Sequence, residues 1–100
     1  RSSWGRRMAL KGSQYQVEAT TTARKAILGE GRRISWHFSQ RGSAPVYIGF
    51  NSAVSQFTGT EVRTGGRARA WGDEAKLEVW VIAQSGTQRL DIMEVLEVPG

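Results

Sequence analysis

The sequence has no cysteine, one histidine and two prolines among its 100 residues. Without cysteine there is no disulfide frame, no thiolate zinc site and no thiol nucleophile. Long apolar runs are missing too. Val79-Trp80-Val81-Ile82-Ala83 is among the longest, far short of the roughly 20 residues a helix needs to cross a bilayer, so no membrane contact is expected. No apolar stretch of about 7–15 residues follows the basic start, so these residues hold no recognisable secretory leader. Also absent is any segment that keeps a 3.6-residue period over three turns, which argues against helices.

What the sequence does hold is arginine, tryptophan and period-two alternation. At 11.1 kDa the chain is one domain's worth, with room for a small core. Fourteen Lys+Arg face nine Asp+Glu, a net charge of +5. The charge is uneven: residues 1–41 carry a net +7, and residues 42–100 a net −2. Eleven of the cations are arginine, the residue suited to bidentate pairing with carboxylate or phosphate. A basic front half fits either an acidic protein surface or nucleic acid.

Residues 1–14 combine Arg1, Arg6, Arg7 and Lys11 with Trp4, serines and glycines, and show no period. They read as a flexible basic arm, ordered only on a partner. Residues 15–100 read as the folded domain. Tyr15–Thr20 alternates as a strand does, and the threonines and Gly29-Glu30-Gly31 turn around Ala23–Leu28 favour a second strand. In Arg33–Ser39, Ile34, Trp36 and Phe38 point one way and Ser35, His37 and Ser39 the other, predicting a strand with Trp36 in the core. Arg41–Pro45 reads as a turn, Val46–Phe50 as a strand, and Asn51–Thr60 as a polar loop. Gly65-Gly66 between Glu61–Thr64 and Arg67–Trp71 is a two-residue hairpin signal. Gly72-Asp73-Glu74 and Ser85-Gly86-Thr87 are further turns, bracketing a strand at Lys76–Ala83. Arg89–Val98 is the last strand, whose phase blurs at Met93–Leu96, as at a bulge or where both faces are covered. Short strands with turns every eight to twelve residues predict an all-β, single-domain β-sandwich, jelly-roll or immunoglobulin-like, carrying the basic arm.

The chemistry-bearing residues have plain readings. His37 lies among serines, but nothing marks a reactive serine or an oxyanion site, so it reads as a structural or surface histidine. Asp73 and Glu74 read as solvated turn charges. Gly29-Glu30-Gly31 lacks the third glycine and the strand-turn-helix context of a phosphate cradle. No enzyme activity, cofactor or metal is expected. Trp4 has no core available in an arm, so it reads as a docking side chain. With Arg6, Arg7, Lys11, Arg32, Arg33 and Arg41 it makes a candidate partner-binding set, because aromatic and arginine side chains anchor interfaces.

From Pro45 onward, the order of features is Pro45-Val46-Tyr47-Ile48-Gly49-Phe50, then Gly65-Gly66, then Gly72-Asp73-Glu74. Val79-Trp80-Val81-Ile82-Ala83, Ser85-Gly86-Thr87 and Arg89–Val95 close the chain. This order resembles small virion proteins of tailed bacteriophages, of the capsid decoration or head accessory type, over about half of the chain. The resemblance implies a non-enzymatic structural protein located in the virion. Its partners would be the major capsid protein or connector subunits, often with further copies of itself as a homo-oligomer. The second expectation is a nucleic-acid-binding β-barrel that uses Trp36, Trp80, Tyr47 and the basic first half.

Overall fold

The computed structural model describes residues 8–99. It contains eight strands: β1 (Met8–Ala19), β2 (Arg24–Ile27), β3 (Arg33–Gln40), β4 (Val46–Gly49), β5 (Thr60–Val62), β6 (Arg67–Trp71), β7 (Val79–Ala83) and β8 (Gln88–Pro99). One 3-10 turn, Gly72–Lys76, follows β6. Two four-stranded sheets run in the orders β1-β8-β3-β6 and β2-β7-β4-β5. The pairs β1·β8, β2·β7, β3·β6 and β4·β5 are all antiparallel. The chain is thus one long hairpin folded over on itself, which is the jelly-roll winding and not the immunoglobulin one.

The inner faces supply the core. Phe38, Leu90 and Ile92 of the first sheet and Ile27, Val46 and Val81 of the second are fully buried. Trp36 is 4% exposed and stacks on Phe38 with ring centroids 5.5 Å apart, as the β3 stripe predicts. Two buried glutamines hold the turn after β3. Gln40 donates to Ala44 O at 2.6 Å, and Gln88 Oε1 accepts from Ser43 N at 2.7 Å. Buried amides are tolerated because each finds backbone partners.

Three expectations are corrected. The domain does not begin at residue 15: residues 8–14 are the first half of β1, paired with β8 in an unbroken register from Met8↔Pro99 to Ala19↔Gln88. Neither face of residues 10–14 is covered, so nothing selected an apolar period there, and the backbone ladder alone makes the strand. Residues 1–7 lie outside the described residues. The second correction concerns Gly65-Gly66, which is no hairpin. β5 pairs with β4 and β6 with β3, so the turn passes the chain between sheets. Gly65 adopts φ 77°, a conformation cheap for glycine. Its N–H donates to Gln40 O at 3.0 Å, docking the turn on the end of β3.

The third correction is Arg33, read from the sequence as exposed and partner-binding. The β3–β8 register shifts between Arg33 and Ser35, making Ile34 an extra residue opposite Val95 and Leu96. A bulge reverses the side-chain parity beyond it. Arg33 therefore turns inward and is 2% exposed, while Ile34 leaves the Trp36 stripe and is only half-buried. The bulge falls where the phase of the last strand blurs.

Candidate protein-binding face

The first sheet has an outer face that no other element among the described residues covers, and its register lays out the side chains in rows. One row reads Gln16, Asp91, Ser39 and Arg67 across β1, β8, β3 and β6. The next reads Gln14, Met93, His37 and Arg69, and the one after that Gly12, Val95, Ser35 and Trp71. At the opposite end Glu18 pairs with Arg89, and Arg41 follows the end of β3.

The face is graded. Asp91 sits between two cations, 2.9 Å from Arg89 Nε and 3.9 Å from Arg41 Nε, and partly neutralises both. Arg67 and Arg69 have no carboxylate partner among the described residues. Arg69 instead lies over the Trp71 ring, 5.6 Å from its centroid. Trp71 and Met93 are more than half exposed, at the end of the face where β1 and β8 run on. The face thus has an arginine edge and an apolar end.

Beyond the Arg33↔Leu96 pair, where β3 begins, β1 and β8 overhang as Met8–Leu10 paired with Glu97–Pro99. Lys11, Gly12, Ser13 and Gln14 are exposed although their strand is fully paired. Leu10 is 69% exposed. The molecule is elongated, 56 × 23 × 16 Å. β1 is also the outermost strand of its sheet.

Of the seven residues singled out in the sequence, the structure puts only Arg41 on this face. Lys11 is exposed on β1, opposite Leu96. Arg32 is exposed in the turn before β3, held by Glu30 through a backbone bond at 2.9 Å and a guanidinium contact at 3.3 Å. Those hydrogen bonds keep the Glu30 carboxyl below its usual range. Arg33 is buried, and Trp4, Arg6 and Arg7 lie outside the described residues. The sequence reading passed over Arg67, Arg69, Trp71, Arg89 and Met93. The signal for three of them is the alternation Arg67-Ala68-Arg69-Ala70-Trp71, with small residues inward and large ones outward.

Arg33 belongs to a buried network below the overhang. Its guanidinium donates to Ala75 O at 3.1 Å and Leu28 O at 2.7 Å, and its Nε lies 3.5 Å from Glu94 Oε1. Tyr15 donates to Glu94 Oε2 at 2.7 Å. Burial, then the bond to Glu94 and its charge, push the Tyr15 phenol well above its usual range. The network ties β1, β3 and β8 to the 3-10 turn and to the residue after β2.

Of the three aromatics of the nucleic-acid expectation, only Tyr47 and Trp80 share a surface, the outer face of the second sheet. Trp36 is interior, whereas Trp80 is half-buried opposite Lys25 on the second sheet. There Lys25 Nζ lies 5.6 Å from the Trp80 ring, and Trp80 Nε1 donates to Glu78 at 2.7 Å. That bond and the Lys25 contact hold the Glu78 carboxyl below its usual range.

No protein-family model matches the chain, and neither does any curated protein. Among solved structures it is similar to one described as "Bacillus endospore appendages form a novel family of disulfide-linked pili". That match has a TM-score of 0.54 and 16% identity, covering 93% of this chain and 90% of the other. A de novo designed double-stranded β-helix also aligns, with a TM-score of 0.47 and 12% identity over 87% of this chain and 97% of that one. At such identities the likeness is one of fold.

Proposed function

We propose that the chain is a non-enzymatic structural subunit that binds neighbouring protein subunits in a large assembly. The observation that carries this is the outer half of β1, an edge strand whose residues 10–14 are exposed on both faces, with the short two-stranded β1–β8 overhang beyond it. A two-stranded ribbon is marginal alone in water, and an open edge is a site where strands of another chain add. Docking on a neighbour covers it. The outer face beside it supplies arginine, tryptophan and methionine, which are enriched at interfaces.

The likeness of the second half to decoration proteins makes the head or head–tail region of a tailed bacteriophage the assembly we propose. The pilus likeness fits the broader reading of a jelly roll as a building block. This sequence has no cysteine, so contacts between its copies would be non-covalent. Mass spectrometry of purified phage particles tests the proposal. Peptides of this chain should co-purify with the particles in fixed ratio to the major capsid protein. Peptides confined to the soluble fraction would sink it.

A second reading, binding of nucleic acid, is favoured by Arg41, Arg67, Arg69 and Arg89 lying on one sheet. It demands affinity for single strands that falls steeply with salt.

A further inference from the structure

A cavity of about 300 Å³ opens between the sheets, where β6 faces β4 and β5. Its walls include Trp36, Ile48, Phe50 and Val79. Such a volume is at the small end of ligand sites, which pair apolar walls with a few placed polar groups. An independent observation lies in the same place. Trp36 is 4% exposed and its Nε1 has no acceptor among the described residues. A buried indole N–H normally finds a partner, and leaving one without costs free energy.

The polar groups around the cavity favour an acceptor. Trp36 Nε1 only donates and the Thr60 hydroxyl does either, while Arg69 borders the cavity from the outer face of β6, its donor-only guanidinium over the Trp71 ring. Glu74 is the one carboxylate among the lining residues, and it disfavours a ligand carrying a second negative charge. Arg69 is held only by the Trp71 ring, a contact that an exposed arginine leaves at little cost.

We propose that this cavity binds a small apolar monocarboxylate. The hydrocarbon body would pack against Ile48, Phe50 and Val79, one oxygen would accept from Trp36 Nε1, and Arg69 would supply the counter-charge at the rim. A free aromatic or branched acid meets this description, and so does the C-terminal residue of a peptide. The site does not depend on the chain's being a virion protein.

Heteronuclear NMR on the full chain tests it, because each of the four tryptophans has its own indole N–H signal. Trp36→Phe, which keeps an aromatic ring, assigns the signal of Trp36. The probes are phenylacetate, N-acetylphenylalanine as the mimic of a chain end, and uncharged phenylacetamide. One or both acids should move the Trp36 signal saturably, and the tighter of the two identifies the source. Phenylacetamide should bind at least about tenfold more weakly, the scale of a charged hydrogen bond. Arg69→Gln should weaken the acid by a similar factor, while Arg67→Gln should not. Ala68→Leu, which fills the cavity from β6, should abolish the shift. The proposal is overturned if the Trp36 signal does not move saturably or the amide matches the acid. It is equally overturned if the acids bind Arg69→Gln or Ala68→Leu unchanged. The acid and amide comparison uses the native chain, so a variant that fails to fold leaves the test standing.

Discussion

Arg33 shows how much one side chain can be worth when a bulge turns it inward. Two hydrogen bonds hold it to Ala75 O and Leu28 O, and its Nε forms an ion pair with Glu94 at 3.5 Å. Removing one partner of a buried pair leaves the other charge uncompensated, a cost of about 3–5 kcal/mol. Arg33→Met should lose about that much in urea denaturation. Adding Glu94→Leu should recover most of it, since an apolar pair replaces an ionic one at small net cost. If the double variant were as unstable as the single one, the carbonyl contacts and not the ion pair would dominate. Tyr15 adds a pH signature. Its phenol titrates near 10 when unfolded, and higher when folded because of burial and Glu94. The stability from this bond is full below about pH 10 and lost above it, as the unfolded chain gives up its proton first. Tyr15→Phe should cost about 1.5–3 kcal/mol at neutral pH, the scale of a hydrogen bond to a charged group. It should also flatten the alkaline loss, measured as urea midpoints on either side of pH 10. An unchanged alkaline slope would assign that loss to other groups.

At the scale of the element, β1 divides into two halves of different stability. Tyr15, Val17 and Ala19 pack on the core, whereas residues 10–14 are exposed on both faces. Ladder hydrogen bonds contribute about 0.5–1.5 kcal/mol each, close to the 1–2 kcal/mol per residue that ordering the backbone costs. The free protein should therefore exchange the amides of residues 10–14 orders of magnitude faster than those of Val17 and Ala19. Equal protection along the strand would mean that something already covers residues 10–14. The same division explains what the sequence makes legible. Strands β3, β7 and β8 were readable because one or both of their faces are buried, and burial imprints a period of two. The first half of β1 has no buried face and left no imprint, so it read as an arm. The bulge at Ile34 depends on which strand β3 meets, a long-range fact that local alternation does not carry. For the same reason Arg33 was misplaced, and Gly65-Gly66 was read as joining strands that lie in different sheets. The outer face needed strand order before Arg67, Arg69 and Arg89 could be seen together. The loop between β4 and β5 offers a sharper local test. A Cβ at Gly59 would lie 2.8 Å from Val54 Cγ2 and 3.0 Å from Ile48 O. Gly59→Ala should thus destabilise by about 1–3 kcal/mol, the range for overpacking, and Gly31→Ala, with nothing within 4 Å, should not.

The whole molecule is a slab of 56 × 23 × 16 Å, and its broad face can supply the roughly 800 Å² per partner of an ordinary stable interface. That face divides the labour. Charged rims set encounter rate and orientation, while desolvated apolar groups supply most of the affinity. Arg67 and Arg69 form the charged edge, and Leu10, Trp71 and Met93 are the exposed apolar groups. If the chain is an assembly subunit, the two sets should fail differently. Arg67→Glu with Arg69→Glu should slow attachment to particles, and the slowing should shrink at high salt as the charges are screened. Trp71→Ser should speed release at any salt, because the lost contact is apolar. Both sites are exposed on an edge strand, so the urea midpoint of the free protein should hardly change. Surface plasmon resonance on immobilised particles separates the two rates. Single-stranded DNA on a parallel channel separates the two functions. A subunit of an assembly keeps its particle binding and ignores the strand. If the double glutamate variant instead lost a strong, salt-dependent affinity for DNA and bound particles as before, the arginine edge would be a phosphate-binding surface, and the proposal of a structural subunit would fall.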